Sequence, residues 1–214
     1  MLNSKIRNHT LVCFLLYTIF AIISLVINDF TKLHIIIVAM IAPWLIYVVF
    51  KIIKLKLMVS IIYINWIFCA ISTIYGSTLG GYSFSWFDNL LHFSSGIFFS
   101  VLSFIIYAIL TERTKAKNIK EIILQLLFIN GTNMLVAFIW ELYEYLLLIV
   151  LKIDAINHYS EGAHDIMGDL IVCFIGGIII SLFVVKHYNN GNCFIVKFTN
   201  DFLIINGKKI GDKC

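Results

Sequence analysis

Glu141 and Glu144 stand three residues apart in the apolar run Ile139–Val150. On a helix that spacing puts both carboxylates on one face. The stretch from Glu121 to Leu151 is otherwise oily enough to cross a bilayer. An ionisable residue buried there costs about 2.5–3.5 kcal/mol on the mildest scale, so function is its default explanation. Two further polar pairs repeat the geometry: Asp88 with His92, and Asp165 with Asp169, each four apart at the start of an apolar run. Without Lys or Arg nearby, five carboxylates and an imidazole cannot all be charged in a low-dielectric site. Protons or a cation must neutralise them. Helical pairs from several helices are also how bundles build carboxylate-rich metal centres. A divalent cation is therefore the expected cofactor, with Asp88, His92, Glu141, Glu144, Asp165 and Asp169 as candidate ligands, and Mn²⁺, Fe²⁺, Zn²⁺ and Mg²⁺ all suit that donor set. Glu141 and Glu144 are also the candidate catalytic residues, a free glutamate acting as general base toward a metal-activated water.

Composition says which elements must position these groups. The chain is 61% hydrophobic and 13% charged, far below the roughly 25% charge of ordinary soluble domains, so it reads as an all-α polytopic membrane protein. Six spans are expected: Leu11–Ile27, Leu33–Phe50 with a kink at Pro43, Leu57–Tyr75, Trp86–Leu110, Ile122–Val150 and Asp165–Val185. Lys and Arg prefer cytoplasmic loops, and all of them except Lys32 and Lys152 fall on one side of this scheme. Both termini are accordingly expected in the cytoplasm. The three polar pairs then lie at one depth, roughly 10 Å below the outer surface at 1.5 Å per residue. The domain expectation is a transmembrane domain over 1–186 and a cytoplasmic tail over 187–214. In the tail, two β-prone runs flank Thr199-Asn200-Asp201, and Asn206-Gly207 offers a further turn, which predicts a small hairpin.

Plainer roles compete for several residues. Asp165 suits a helix N-terminus, where the dipole favours an acid. Asp88 and His92 can form an internal ion pair, and His158 and His164 read as solvated loop residues. Asn65, Asn130, Thr132 and Asn133 suit interhelical hydrogen bonding, and Gly96, Gly176 and Gly177 suit close helix approach. The cysteines form no CxxC or CxxxH pattern and read as small packing residues. The basic residues are too dispersed for a nucleic-acid partner, and membrane lipids are the expected surroundings.

The motifs Trp86-Phe-Asp-Asn-Leu-Leu-His92, Trp140-Glu-Leu-Tyr-Glu144 and Asp165-Ile-Met-Gly-Asp-Leu170 resemble, in this order, the YjdF-type (DUF2238) family of small bacterial inner-membrane proteins. Asn89 stands where that family usually carries a basic residue. The resemblance implies a multi-pass protein of the bacterial plasma membrane and supports the site without naming a reaction. Three uses of the centre fit the residues: metal-assisted chemistry on a lipid or cell-envelope substrate, proton- or cation-coupled transport, and a scaffold with a structural acidic cluster. A lipid-phosphatase reading fails, because Ser94-Ser95-Gly96 is followed by Ile97 where such enzymes need histidine.

Overall fold

The computed structural model describes residues 4–28, 32–152, 162–190 and 193–208. Helices α1 (Ser4–Ile27), α2 (Leu33–Ile41), α3 (Leu45–Ile52), α4 (Val59–Cys69), α5 (Phe87–Thr111), α6 (Ile119–Leu146), α7 (Ala163–Asn190) and α8 (Phe194–Ile205) follow in chain order. Six stretches are long and apolar enough to cross a membrane: Ile6–Ile27, Ile35–Ile52, Val59–Thr78, Phe87–Thr111, Ile119–Val150 and Ala163–Tyr188. They coincide with the six expected spans. The helix is the natural element here, because it satisfies every backbone polar group within the segment. Exposed side chains such as Leu16, Val38, Leu110, Leu127 and Leu182 are aliphatic, as a lipid-facing surface requires. The chain divides into two compact units, Met1–Phe87 and Asp88–Cys214.

The first unit shows how one proline is accommodated. Pro43 has no N–H, so it cannot bond the Ala39 carbonyl one turn back. A 3₁₀ turn over Ala42–Trp44 separates α2 from α3, which is the expected kink. The Tyr17 hydroxyl donates to the Ala39 oxygen at 2.8 Å instead, and Asn65 Nδ2 donates to the Pro43 oxygen at 2.9 Å. Thus Asn65 is interhelical glue. α4 continues as a π-helical stretch over Ala70–Thr78, and Lys32 Nζ closes its end by donating to the Ser77 and Thr78 carbonyls.

The second unit, which carries the acidic pairs, is built on α5, α6 and α7. α5 and α7 meet backbone to backbone. A Cβ on Gly96 would stand 2.8 Å from Cys173 Cα, and one on Gly176 would stand 2.8 Å from the Phe93 oxygen. Asn118 opens α6 by accepting from the Glu121 N–H at 3.0 Å, a standard N-cap. Toward the ends of α5 and α7 far from Asp88 and Asp169, Phe104, Ile129, Ile180, Val184, Ile195 and Val196 form an apolar core.

The last two of those belong to α8, and α8 corrects the expected tail hairpin. Phe194–Ile205 is a helix, and the described residues contain no strand. Ile195, Val196, Thr199, Phe202 and Leu203 are its buried residues, a stripe of helical period that overrides the turn preference of Thr199-Asn200-Asp201. Asn206-Gly207 is a turn, but one that ends a helix. Gly207 takes φ +64°, its N–H reaches the Ile204 oxygen at 3.0 Å, and the Lys208 N–H reaches the Leu203 oxygen at 2.9 Å. These bonds make a Schellman cap.

Candidate metal centre

His92 is the hub. It sits about one and a half turns inside α5, and the residue is 7% exposed. Nε2 lies 3.8 Å from Asp88 Oδ1, one helical turn back, and 3.7 Å from Asp169 Oδ2 on α7. Nδ1 lies 3.7 Å from Glu141 Oε1 on α6. Glu144 completes the set: ligand atoms of His92, Glu141 and Glu144 lie within 4.8 Å of one another, as do those of Asp88, His92 and Asp169. One imidazole thus stands between two acid pairs, with carboxylates from three helices facing it.

The helical ladders explain the convergence. Asp88, His92, Gly96 and Ser100 repeat at four-residue spacing on α5, and Asp165, Asp169, Cys173, Gly177 and Ser181 do so on α7. On α6 the buried residues Gln125, Ile129, Asn133, Ala137 and Glu141 form the matching ladder. α6 runs opposite to its two neighbours in sequence sense, so its C-terminal turns meet their N-terminal turns. Glu141, His92 and Asp169 each lie roughly 7–9 Å along the helix from that shared end.

The electrostatics are lopsided. Between Phe87 and Leu110, Glu121 and Leu151, and Ala163 and Val185, the three helices carry no Lys or Arg. Asp169 faces the charges of Asp88, Glu141 and Glu144 together, and is 2% exposed. Asp169 Oδ2 and Glu141 Oε1 are buried and accept no hydrogen bond. The His92 separations of 3.7–3.8 Å exceed hydrogen-bond length.

Five of the six expected site residues come together. Asp165 stands in the first turn of α7, half-buried, and belongs to neither ligand group. His164 is exposed in the same turn, and His158 lies outside the described residues. Sequence reasoning missed Cys173 and Ser95. Cys173 Sγ donates to the His92 carbonyl at 3.1 Å and lies 3.8 Å from Nδ1, while Ser95 Oγ donates to the same carbonyl at 2.8 Å. The signal was present in the four-residue step from Asp169 to Cys173. Asn133 Nδ2 in turn donates to the Cys173 oxygen at 2.9 Å, and Asn130 Nδ2 donates to Ser181 Oγ at 2.7 Å, both as interhelical glue.

Six apolar spans, the last three of which bring a buried acid–histidine cluster together, define a polytopic membrane protein. The chain belongs to the family described as predicted membrane protein (DUF2238), whose family model matches residues 9–190. No curated protein and no solved structure matches it.

Proposed function

We propose that this protein binds a divalent cation in the membrane, with Asp88, His92 through Nε2, and Asp169 as the protein ligands. Glu141 then accepts the Nδ1–H and fixes the ring, the usual carboxylate partner of a metal-bound histidine. Glu144 remains beside the ion as the carboxylate able to take a proton from a metal-held water. The observation that carries the reading is the buried Asp169 Oδ2, which accepts no hydrogen bond yet points at Nε2 from 3.7 Å. Metal–ligand bonds of about 2.0–2.2 Å set neighbouring donors roughly 3–3.5 Å apart, so a small inward movement closes the shell. A +2 ion also offsets the clustered negative charge that no Lys or Arg of these helices answers.

Charge supports one side of the membrane for this centre. Arg113, Lys115, Lys117 and Lys120 follow α5 at the end away from His92, and basic loops favour the cytoplasm. The distribution supports a centre toward the outer face of a bacterial plasma membrane, with both termini inside. Leu142, Tyr143, Tyr145 and Leu146 flank the two glutamates and are exposed on α6, a surface open to lipid. The substrate class this favours is a lipid or a lipid-borne cell-envelope compound.

Elemental analysis of detergent-purified protein tests the cation. Near-stoichiometric metal is expected in the wild type and in Glu144→Gln, with loss in His92→Ala and Asp169→Asn. Metal at background in the folded wild type, or equal retention in all variants, refutes it.

A further inference from the structure

Below the centre the polar contacts continue. Cys173 and Asn133 lead to a neutral layer in which a Cβ on Gly177 would stand 2.6 Å from Asn130 Oδ1, 2.9 Å from Asn133 Nδ2 and 3.2 Å from Ser100 Oγ. Ser181 joins this layer through Asn130. Ser100 is fully buried and its hydroxyl has no hydrogen-bond partner; Asn130 Oδ1 is likewise buried without one. Further along, Tyr188 OH donates to Gln125 Oε1 and accepts from the Ala116 N–H at 2.9 Å, in the connection between α5 and α6. Gln125 Nε2 is again buried and without a hydrogen bond. Between these two polar layers stand Phe104, Ile129 and Val184. The break spans five residues on α6 and seven on α7, roughly 8–10 Å of helix.

Helix glue accounts for the bonded atoms of these residues and leaves Ser100 Oγ, Asn130 Oδ1 and Gln125 Nε2 unexplained. Buried polar atoms of this kind are met by water where the site is polar. A narrow hydrated line without charged side chains suits protons, which pass along hydrogen-bonded water. A short apolar constriction closes such a line by dewetting. We propose that α5, α6 and α7 enclose a proton path running from the level of Cys173 to the Ala116 connection, shut by the Phe104–Ile129–Val184 plug. No bond is made or broken in net terms; a proton enters one end of the line and leaves at the other. The path goes beyond the cation centre and stands without it.

The test uses full-length protein in liposomes with pyranine inside and a potassium diffusion potential set by valinomycin. Ile129→Asn wets the plug and is expected to speed internal acidification roughly tenfold over wild type. Leu127→Asn, at a lipid-facing position of the same helix, leaves the rate at the wild-type level. Adding Asn130→Leu to Ile129→Asn returns the rate to that level. Val184→Asn replaces Ile129→Asn if the latter is not monodisperse. An Ile129→Asn rate no higher than that of Leu127→Asn overturns the proposal, as does a rate that Asn130→Leu does not lower. Metal content is measured on the same preparations, so failure of the cation reading leaves the flux result intact.

Discussion

Gly96→Ala tests whether the backbone contact between α5 and α7 holds the centre together. A new Cβ would stand 2.8 Å from Cys173 Cα and 2.9 Å from its carbonyl carbon. Ordinary carbon contacts lie at about 3.5–4.0 Å, so the helices must part by roughly 1 Å. Backbone cannot rotate away as a side-chain tip can. Overpacking of this kind costs about 1–3 kcal/mol. The displaced pair carries His92 and Asp169, now 3.7 Å apart, on its first turns, so the same movement opens the proposed ligand set. A distortion in the support of a metal site lowers affinity by about 10–100-fold. Thermal unfolding in detergent and calorimetric Zn²⁺ or Mn²⁺ titration read both effects. Gly131→Ala is the counter-test, because a Cβ there meets nothing within 4 Å in mid-α6. Removing a mid-helix glycine should stabilise by about 0.5–1 kcal/mol. Equal melting of the Gly96 and Gly131 variants, with unchanged metal affinity, would refute the reasoning.

Other substitutions probe the remaining parts of the second unit. Phe202→Ala removes a ring that is 2% exposed on α8 and should cost about 3–5 kcal/mol by thermal or denaturant unfolding, whereas a tail hairpin free of the core predicts almost nothing. Tyr188→Phe deletes the hydroxyl shared by Gln125 and Ala116, leaves the buried Gln125 amide without that partner, and should cost about 1–3 kcal/mol by the same assay. Asn118→Ala loses the cap on the Glu121 N–H and should lower stability by about 1 kcal/mol, with faster amide exchange confined to the first turn of α6. Arg113→Ala removes a partly exposed pair with Glu121 at 3.4 Å and should change melting by less than about 1 kcal/mol.

Much of this molecule was legible in its residues because a membrane leaves few options. Long apolar runs must be helices, and the four-residue spacing of Asp88 with His92 and of Asp165 with Asp169 then fixes a face and a depth. Convergence on one hub was legible for the same reason: helices of known sense bring known positions to one end. Which acid leaves the set was not, because Asp165 and Asp169 share a face and differ only by one turn. Cys173 was hidden by its chemistry; a thiol in an oily run reads as packing until its donor is seen on the His92 carbonyl.

The tail failed for a different reason. Thr199-Asn200-Asp201 favours turns in water, where each polar side chain competes for its own backbone. α8 instead buries Ile195, Val196, Phe202 and Leu203, two of them in the core beneath α5–α7. Thr199 is carried into the interior with them, fully buried and with Oγ1 lacking a hydrogen bond. Apolar periodicity decides the helix, and the buried hydroxyl is the cost it accepts. The acid centre follows the opposite logic, since no apolar gain requires Glu141 or Asp169 at those depths. A buried group that packing explains is structure; a cluster that packing opposes, with oxygens left unbonded, points to a ligand.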